Sequence, residues 1–151
     1  MSRVLIAGFL LVAATFPALA QEDVAMLDEA HFLQAGDDFA KRGDVDGAAQ
    51  LFQSAIVYAP RDPVPYHRLG QLYAQNGRPE LAHQFFGLAL DVQPAYVPAL
   101  QSLALLDLAI GDRAGAEAQR DILVRACGAT CPETAQVERA LRGEREVPVR
   151  P

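Results

Sequence analysis

Residues 63–96 read PVPYHRLGQLYAQNGRPELAHQFFGLALDVQPAY, and this stretch decides the fold. Its first prolines fit the first turn of a helix, where a missing N–H removes no hydrogen bond. Apolar residues then recur at helical spacing up to Tyr73, and Asn76-Gly77 ends that helix because glycine accepts the left-handed conformation of a C-terminal cap. Pro79 begins a second apolar series, which Pro94 ends. The stretch therefore predicts two consecutive helices joined by a tight turn.

The same pattern returns when the chain is laid over itself with an offset of 34 residues. Small residues coincide in three registers and proline in a fourth: Gly36/Gly70/Ala104, Gly43/Gly77/Gly111, Ala48/Ala82/Ala116 and Pro60/Pro94. Small side chains allow helix backbones to approach closely, while large ones fill the layer between neighbours. No segment has the alternating pattern of a strand. The sequence therefore predicts three helix pairs in succession.

The middle unit also resembles a known family. Tyr66-x2-Leu69-Gly70-x2-Tyr73, followed by an Ala-x3-Phe pair and Pro94, is similar to a full tetratricopeptide repeat, with Tyr66 in place of the usual tryptophan. The resemblance covers about residues 29–130. It implies an all-α solenoid of about three antiparallel helix pairs, with repeats at about 29–62, 63–96 and 97–130 in a domain of residues 21–142.

The third unit departs from the pattern at two positions that are aromatic in the earlier units. Asp107 aligns with Phe39 and Tyr73, and Arg120 aligns with Phe52 and Phe86. End units of a solenoid are atypical, so these charges suggest a terminal unit with less surface to bury.

A capping helix should close the stack. Thr130-x-x-Glu133 predicts a capping box, Pro132 falls in the first turn, and Val137 belongs to an apolar stripe. We expect this helix at residues 132–142, followed by a flexible, charged tail at 143–151.

The first twenty residues have the features of a secretory signal. Arg3 supplies a positive charge, residues 4–14 are almost entirely apolar, and Ala18-Leu19-Ala20 places small residues at the cleavage positions. This predicts cleavage before Gln21. A retained membrane anchor is the alternative, although 17 residues interrupted by Pro17 fall short of the ~20 that a helix needs to span a bilayer. We expect an exported, soluble, periplasmic protein.

Charge argues against nucleic acid as a partner. The chain carries a net charge of −6, and loss of Arg3 with the signal would make it about −7. An anionic surface repels phosphate backbones. Stable membrane insertion of the mature chain is not expected either, because no later segment approaches spanning length.

Cys127 and Cys131 are the only cysteines. In an oxidising compartment two neighbouring thiols usually form a disulfide, which here would join the last helix of the third unit to the capping helix. Redox or metal chemistry is the alternative, because Cys-x3-Cys-Pro also occurs in copper-delivering proteins of another fold. Those proteins need a distal histidine and a β-sheet, and no strand pattern is found in this sequence.

No catalytic or cofactor motif is present, so we predict a non-catalytic protein without a cofactor. The acidic pair Asp44 and Asp46 could suggest a cation site. They lie at a turn between helices, where aspartate commonly caps the next helix, and no ring of oxygen ligands accompanies them.

In arrays of this family the first helices of successive units line a concave groove that holds peptides. The 34-residue offset places Leu33, His67 and Gln101 in one row, with Gln34, Arg68 and Ser102 beside it and Asp37, Gln71 and Leu105 one turn further on. Polar side chains next to leucines suit an extended peptide. The alternative is that these are simply the solvent-facing positions of amphipathic helices. One subclass binds terminal carboxylates through lysine and asparagine, but here Leu33 and Asp37 take their places.

Three hypotheses for function follow. The leading one is a periplasmic scaffold that binds a partner polypeptide in the groove, for example during envelope-protein assembly or maturation. A thiol or copper carrier using Cys127 and Cys131 is the second. Self-association through the ends of the solenoid is the third.

Overall fold

The computed structural model describes residues 28–144, which form seven α-helices and contain no strand. In chain order the helices are α1 (Glu29–Lys41), α2 (Val45–Tyr58), α3 (Pro63–Gln75), α4 (Pro79–Val92), α5 (Val97–Ile110), α6 (Arg113–Cys127) and α7 (Pro132–Leu141). They pack as three pairs, α1–α2, α3–α4 and α5–α6, with α7 against the last pair. This confirms the predicted all-α solenoid. The predicted signal peptide and most of the predicted tail lie outside the described residues.

Short polar and glycine residues set the ends of the helices. The side chain of Asp44 accepts a hydrogen bond from the Gly47 N–H at 2.9 Å, which confirms its capping role. Asp112 caps α6 in the same way, through the Gly115 N–H. At the predicted helix ends the glycines have positive φ, as in Gly77 at +68°. Each pair therefore turns back on itself within a few residues.

A close crossing in each of the first two pairs explains the recurrent glycine. A Cβ atom placed on Gly36 would lie 2.5 Å from Cε1 of Phe52, and one on Gly70 would overlap the ring of Phe86. Both rings are buried. The glycines at this register are therefore required by the phenylalanines that lie over them.

Successive pairs stack through one face of each first helix. Leu69 and Leu72 of α3 pack against Phe52 of α2, and Leu103 of α5 packs against Phe86 of α4. Helix α7 repeats this arrangement: its Val137 and Leu141 cover a cluster of α5 and α6 residues, namely Leu100, Ala104, Ala116 and Leu123. The core is consequently a continuous series of layers along the stack.

Two sequence-based expectations about the end of the stack were wrong. The residue at the N-cap position of α7 is Cys131 and not Thr130. No side chain accepts a hydrogen bond from the first N–H groups of this helix, so the predicted capping box does not form. Asp107 does not mark a region with less to bury, because only 2% of it is exposed. Its carboxyl lies between His83 of α4, at 3.6 Å, and the first turn of α6, where a Cβ on Gly115 would be 2.8 Å from Oδ2 of Asp107.

No helix within residues 28–144 is long and apolar enough to cross a membrane.

Candidate peptide-binding groove

The first helix of each pair contacts the first helix of the next, so that α1, α3, α5 and α7 form one continuous row. The predicted groove residues all lie on this row. Six of the seven are partly exposed; the exception, His67, is buried. The six are Leu33, Asp37, Arg68, Gln71, Gln101 and Leu105.

Three predicted residues come together between α1 and α3. The Arg68 Nη1 donates a hydrogen bond to Oε1 of Gln71 at 3.3 Å, and its Nε lies 3.8 Å from Oδ1 of Asp37. The three side chains help to line a cavity of about 270 Å³, completed by Ala40, Lys41, Phe52, Leu72 and Gln75. Carboxylate, guanidinium and amide groups thus surround a small space with an apolar base.

His67 occupies the centre of the row but lies beneath its surface, since 6% of it is exposed. Its Nε2 lies 3.0 Å from Oγ of Ser102, and the ring packs against the rings of Phe86 and Tyr96. Burial, and to a lesser extent the charge of Arg68, lowers the pKa of His67 from 6.5 to about 4. The buried, neutral imidazole of His67 therefore links α3 to α5 through its contact with Ser102.

A matching contact joins α5 to α7. The amide Nε2 of Gln101 donates to Oε1 of Gln136 at 2.6 Å. His67–Ser102 and Gln101–Gln136 have the same separation of 35 residues, so one diagonal contact recurs along the row. Sequence reasoning missed Gln136 because α7 was taken only as a cap. Its signal was present, since adding 34 to Ser102 gives position 136.

The two leucines are not brought together. Leu33 packs against the cluster formed by the first pair and α3, whereas Leu105 packs against the cluster at α5–α7. Each offers a partly exposed apolar surface at a different point of the row. The row thus alternates apolar surface with groups that donate and accept hydrogen bonds, and this arrangement can hold an extended chain but contains no paired acid and nucleophile.

A second, larger groove of about 750 Å³ lies elsewhere, between α1 and α2. It is lined by Phe32, Gln50, Gln53, Ser54, Val57 and Tyr58. Val57 and Tyr58 are among the most exposed large apolar residues of the described chain. This groove was not predicted, because the alignment of units considered only the first helices as binding surfaces.

The two cysteines lie at the junction of α6 and α7, outside the set of predicted groove residues. Their sulfur atoms are within bonding distance and their Cα atoms are 5.9 Å apart, inside the range that a disulfide permits. A disulfide in the protein itself remains a prediction, which the mass of the alkylated, unreduced chain would test.

A sequence model of the tetratricopeptide repeat matches residues 39–106, the end of the first pair's opening helix through most of α5. The matched segment of this chain therefore has the sequence pattern of the tetratricopeptide repeat. The match includes the motif of the middle unit, so the predicted resemblance is confirmed on the residues that suggested it.

Known proteins with similar sequences are much longer than this chain, which spans about a tenth of their length. Protein NPGR2 of Arabidopsis thaliana is 38% identical over 81 residues, which are 54% of this chain and 11% of that protein. The peroxisomal targeting signal receptor of Saccharomyces cerevisiae is 34% identical over 73 residues, or 48% of this chain and 12% of the receptor. The match therefore concerns the repeats and not the whole of those proteins.

Solved tetratricopeptide repeat structures have the same fold. The first such domain of Spaghetti (RPAP3), bound to the HSP90 peptide SRMEEVD, has a TM-score of 0.67 at 16% identity, covering 77% of this chain and 91% of that one. The Sgt2 domain of Aspergillus fumigatus also has a TM-score of 0.67, at 21% identity, covering 77% of this chain and 78% of that one. At these identities the likeness concerns the fold.

Proposed function

We propose that this protein is a non-catalytic scaffold that binds an extended segment of a partner polypeptide along the row of first helices. The observation that carries the proposal is the meeting of Asp37, Arg68 and Gln71 around one cavity between α1 and α3. The peptide-bound Spaghetti domain and the peroxisomal receptors support peptide binding as a use of such repeats.

The chemistry of the cavity favours the middle of a chain over its carboxyl end. Arg68 shares its charge with Asp37 at 3.8 Å, and this neighbouring carboxylate would repel a terminal carboxylate. Backbone carbonyls of an extended segment can accept from Arg68 and from the Gln71 amide, while its N–H groups can donate to the Asp37 carboxylate. Apolar side chains of the segment would contact Leu33 and Leu105. Because a charged group takes part, binding should weaken as salt is raised.

We also propose that the scaffold acts after export, in the periplasm. The support is the signal-like sequence of residues 1–20, including the small residues before Gln21. Intact-mass measurement of the protein recovered from the envelope of an expressing bacterium tests this. A chain beginning at Gln21 is expected, and a retained Met1 would contradict export by cleavage.

The groove itself is tested with two matched variants. Arg68→Ala/Gln71→Ala removes the polar groups of the cavity, and Val57→Ser changes the other groove without touching the row. His67 is left intact because its burial would make a loss of binding ambiguous. Partners are recovered from envelope extract with the immobilised wild type and each variant, after circular dichroism has shown equal helicity.

We expect recovery to fall at least ~10-fold with the double variant, a loss of about 1.4 kcal/mol, and to persist with Val57→Ser. Recovery that survives Arg68→Ala/Gln71→Ala but fails with Val57→Ser would instead place the binding site between α1 and α2.

A further inference from the structure

The junction of α6 and α7 brings two sulfurs and a carboxylate together. Cys127 is the last residue of α6, Cys131 precedes the first turn of α7, and Glu133 lies in that turn. One ligand atom from each lies within 4.8 Å of the other two. Within residues 28–144 this is the one group of three or more histidine, cysteine or acidic side chains close enough to share an ion.

The surroundings of the group are asymmetric. Thr134 is fully buried, and its Oγ1 lies 3.0 Å from Sγ of Cys131 and 3.6 Å from Sγ of Cys127. Cys127 is exposed on the opposite side. A hydroxyl therefore closes the inner side of the group, where it can donate a hydrogen bond to a thiolate, and the outer side is open to solvent.

The position of Cys131 suits a negatively charged metal ligand. It is the N-cap of a ten-residue helix, and the first N–H groups of a helix stabilise a negative charge placed there. No side chain occupies that capping site. A thiolate at Cys131 would therefore take the place that a capping oxygen fills at other helices, and its charge would contribute to metal binding.

We infer that reduction of the cysteine pair creates a binding site for Zn²⁺, with Cys127, Cys131 and Glu133 as its three protein ligands. Thiolates and a carboxylate are ligands that Zn²⁺ accepts, at bond lengths of about 2.0–2.3 Å. Two ligands of a tetrahedral ion at these lengths lie roughly 3.3–3.8 Å apart. The two sulfurs, which are within bonding distance, would have to separate to this spacing after reduction, whereas the carboxylate already lies within 4.8 Å of both. The fourth position remains for water or for a group from a partner.

Ligand type excludes the hard cations from this group. Mg²⁺ and Ca²⁺ bind oxygen ligands, whereas two of the three ligands here are sulfur atoms. Thiolate ligands select Zn²⁺ and other thiophilic ions. The site is separate from the proposed peptide groove, since none of its ligands is among the predicted groove residues or the residues that line the cavity between α1 and α3.

The site exists only in the protein whose cysteine pair has been reduced by two electrons and two protons. An external dithiol, such as a thiol–disulfide oxidoreductase of the same compartment, supplies two electrons and two protons and becomes a disulfide. The bond between Cys127 and Cys131 breaks and leaves two thiols. Zn²⁺ then displaces the two thiol protons, which pass to solvent.

The test uses the full mature chain in its oxidised and reduced forms, with Co²⁺ as a spectroscopic probe. After anaerobic reduction and removal of the reductant, Co²⁺ is added and the near-ultraviolet charge-transfer absorbance of thiolate–cobalt bonds is followed, and Zn²⁺ is then used to displace it. We expect one equivalent of Co²⁺ to bind the reduced protein, Zn²⁺ to displace it, and the oxidised protein to give no absorbance.

Variants assign the ligands. Glu133→Gln should weaken Zn²⁺ binding at least ~10-fold, whereas Glu138→Gln, the same change about one and a half turns further along α7, should leave it unaltered. Cys127→Ser should abolish the absorbance, with circular dichroism showing that the helices remain. Reduced wild type without charge-transfer absorbance would overturn the site, and equal affinity in Glu133→Gln and wild type would overturn the three-ligand assignment.

Discussion

Gly70 and Gly87 lie on consecutive helices of the same pair but have opposite surroundings. A side chain at Gly70 would collide with the buried ring of Phe86, whereas a Cβ at Gly87 would have no atom within 4 Å. Both have ordinary helical backbone, because neither is among the glycines with positive φ. The 34-residue recurrence of small residues indicated that Gly70 lies at a close helix crossing. No pattern in the sequence explains the glycine at position 87.

Gly70→Leu should therefore destabilise the fold by about 1–3 kcal/mol or more, because the added side chain overpacks the crossing of α3 and α4. Gly87→Ala is the matched control and should stabilise the protein by roughly 0.5–1 kcal/mol, since alanine is the better helix former. Urea unfolding followed by circular dichroism measures both. Equal midpoints for Gly70→Leu and wild type would show that the 34-residue register has been misread.

His67 makes the stability of the protein depend on pH. Its pKa is about 4 in the folded chain and near 6.5 when unfolded, so between these values the unfolded chain binds the additional proton. The stabilisation is complete above pH 6.5 and is lost as the pH falls from 6.5 toward 4. His67→Gln retains a hydrogen-bonding group opposite Ser102 but cannot titrate.

Between pH 7 and pH 4.5 the wild type should thus lose about 2 kcal/mol more unfolding free energy than His67→Gln. Denaturant titrations at the two pH values provide the comparison, in which the carboxyl groups common to both chains cancel. Parallel loss in the two proteins would mean that His67 is not held neutral in the fold.

At the scale of the elements, the interface of α4 with α5 differs from that of α2 with α3 by a paired exchange. Ala49 and Tyr73 share one apolar cluster in the earlier interface. The positions 34 residues later are His83 and Asp107, whose Nε2 and Oδ1 are 3.6 Å apart. Burial raises the pKa of Asp107, while the nearby His83 opposes that shift. In the earlier interface the small residue, Ala49, is on the second helix of a pair and the large one, Tyr73, is on the next helix. In the later interface the large residue, His83, is on the second helix and the smaller one, Asp107, is on the next helix.

This exchange predicts energetic coupling. Asp107→Tyr alone should crowd His83, and His83→Ala alone should remove the polar partner of a buried carboxyl, so each should destabilise the fold. The double variant restores the pair found at the earlier interface, and the two effects should offset each other by at least ~0.5 kcal/mol. A double-mutant cycle of thermal or denaturant unfolding measures the coupling, and strict additivity would speak against direct contact.

Much of this element-level description was predictable from the sequence, because helix ends and close crossings depend on local residue types. The glycine turns and the Asp44 cap could be predicted from the residues adjacent to them in sequence. The burial of His67 was not predictable, because it depends on Phe86 and Tyr96 closing around it from other helices. Thr130 was a plausible cap by spacing, but the chain turns at Gly128, with φ of +97°, and α7 starts one residue later than that motif requires.

At the scale of the whole molecule, stability should be uneven along the stack, because each layer depends on the next one. Helix α7 covers Leu100 and Leu123 of the third pair. A chain ending at Cys131 would expose both, while one ending at Glu144 retains the seven described helices and serves as the control. We expect the shorter chain to show faster amide exchange in α5 and α6 than in α1 and α2. Uniform protection along both chains would contradict a layered core.

The two outer faces of the stack have a consequence for assembly in a crowded compartment. Each inner layer meets its predecessor through apolar residues such as Leu69 and Leu103, but the corresponding face of α1 carries His31, Ala35 and Asp38. At the other end, Glu138 of α7 is at the position that aligns with Gly36 and Gly70, where the absence of a side chain allows the next helix to approach closely. A head-to-tail contact between copies would propagate without closing and produce fibres. A charged residue at one end and a polar face at the other make the molecule a poor monomer for such a polymer.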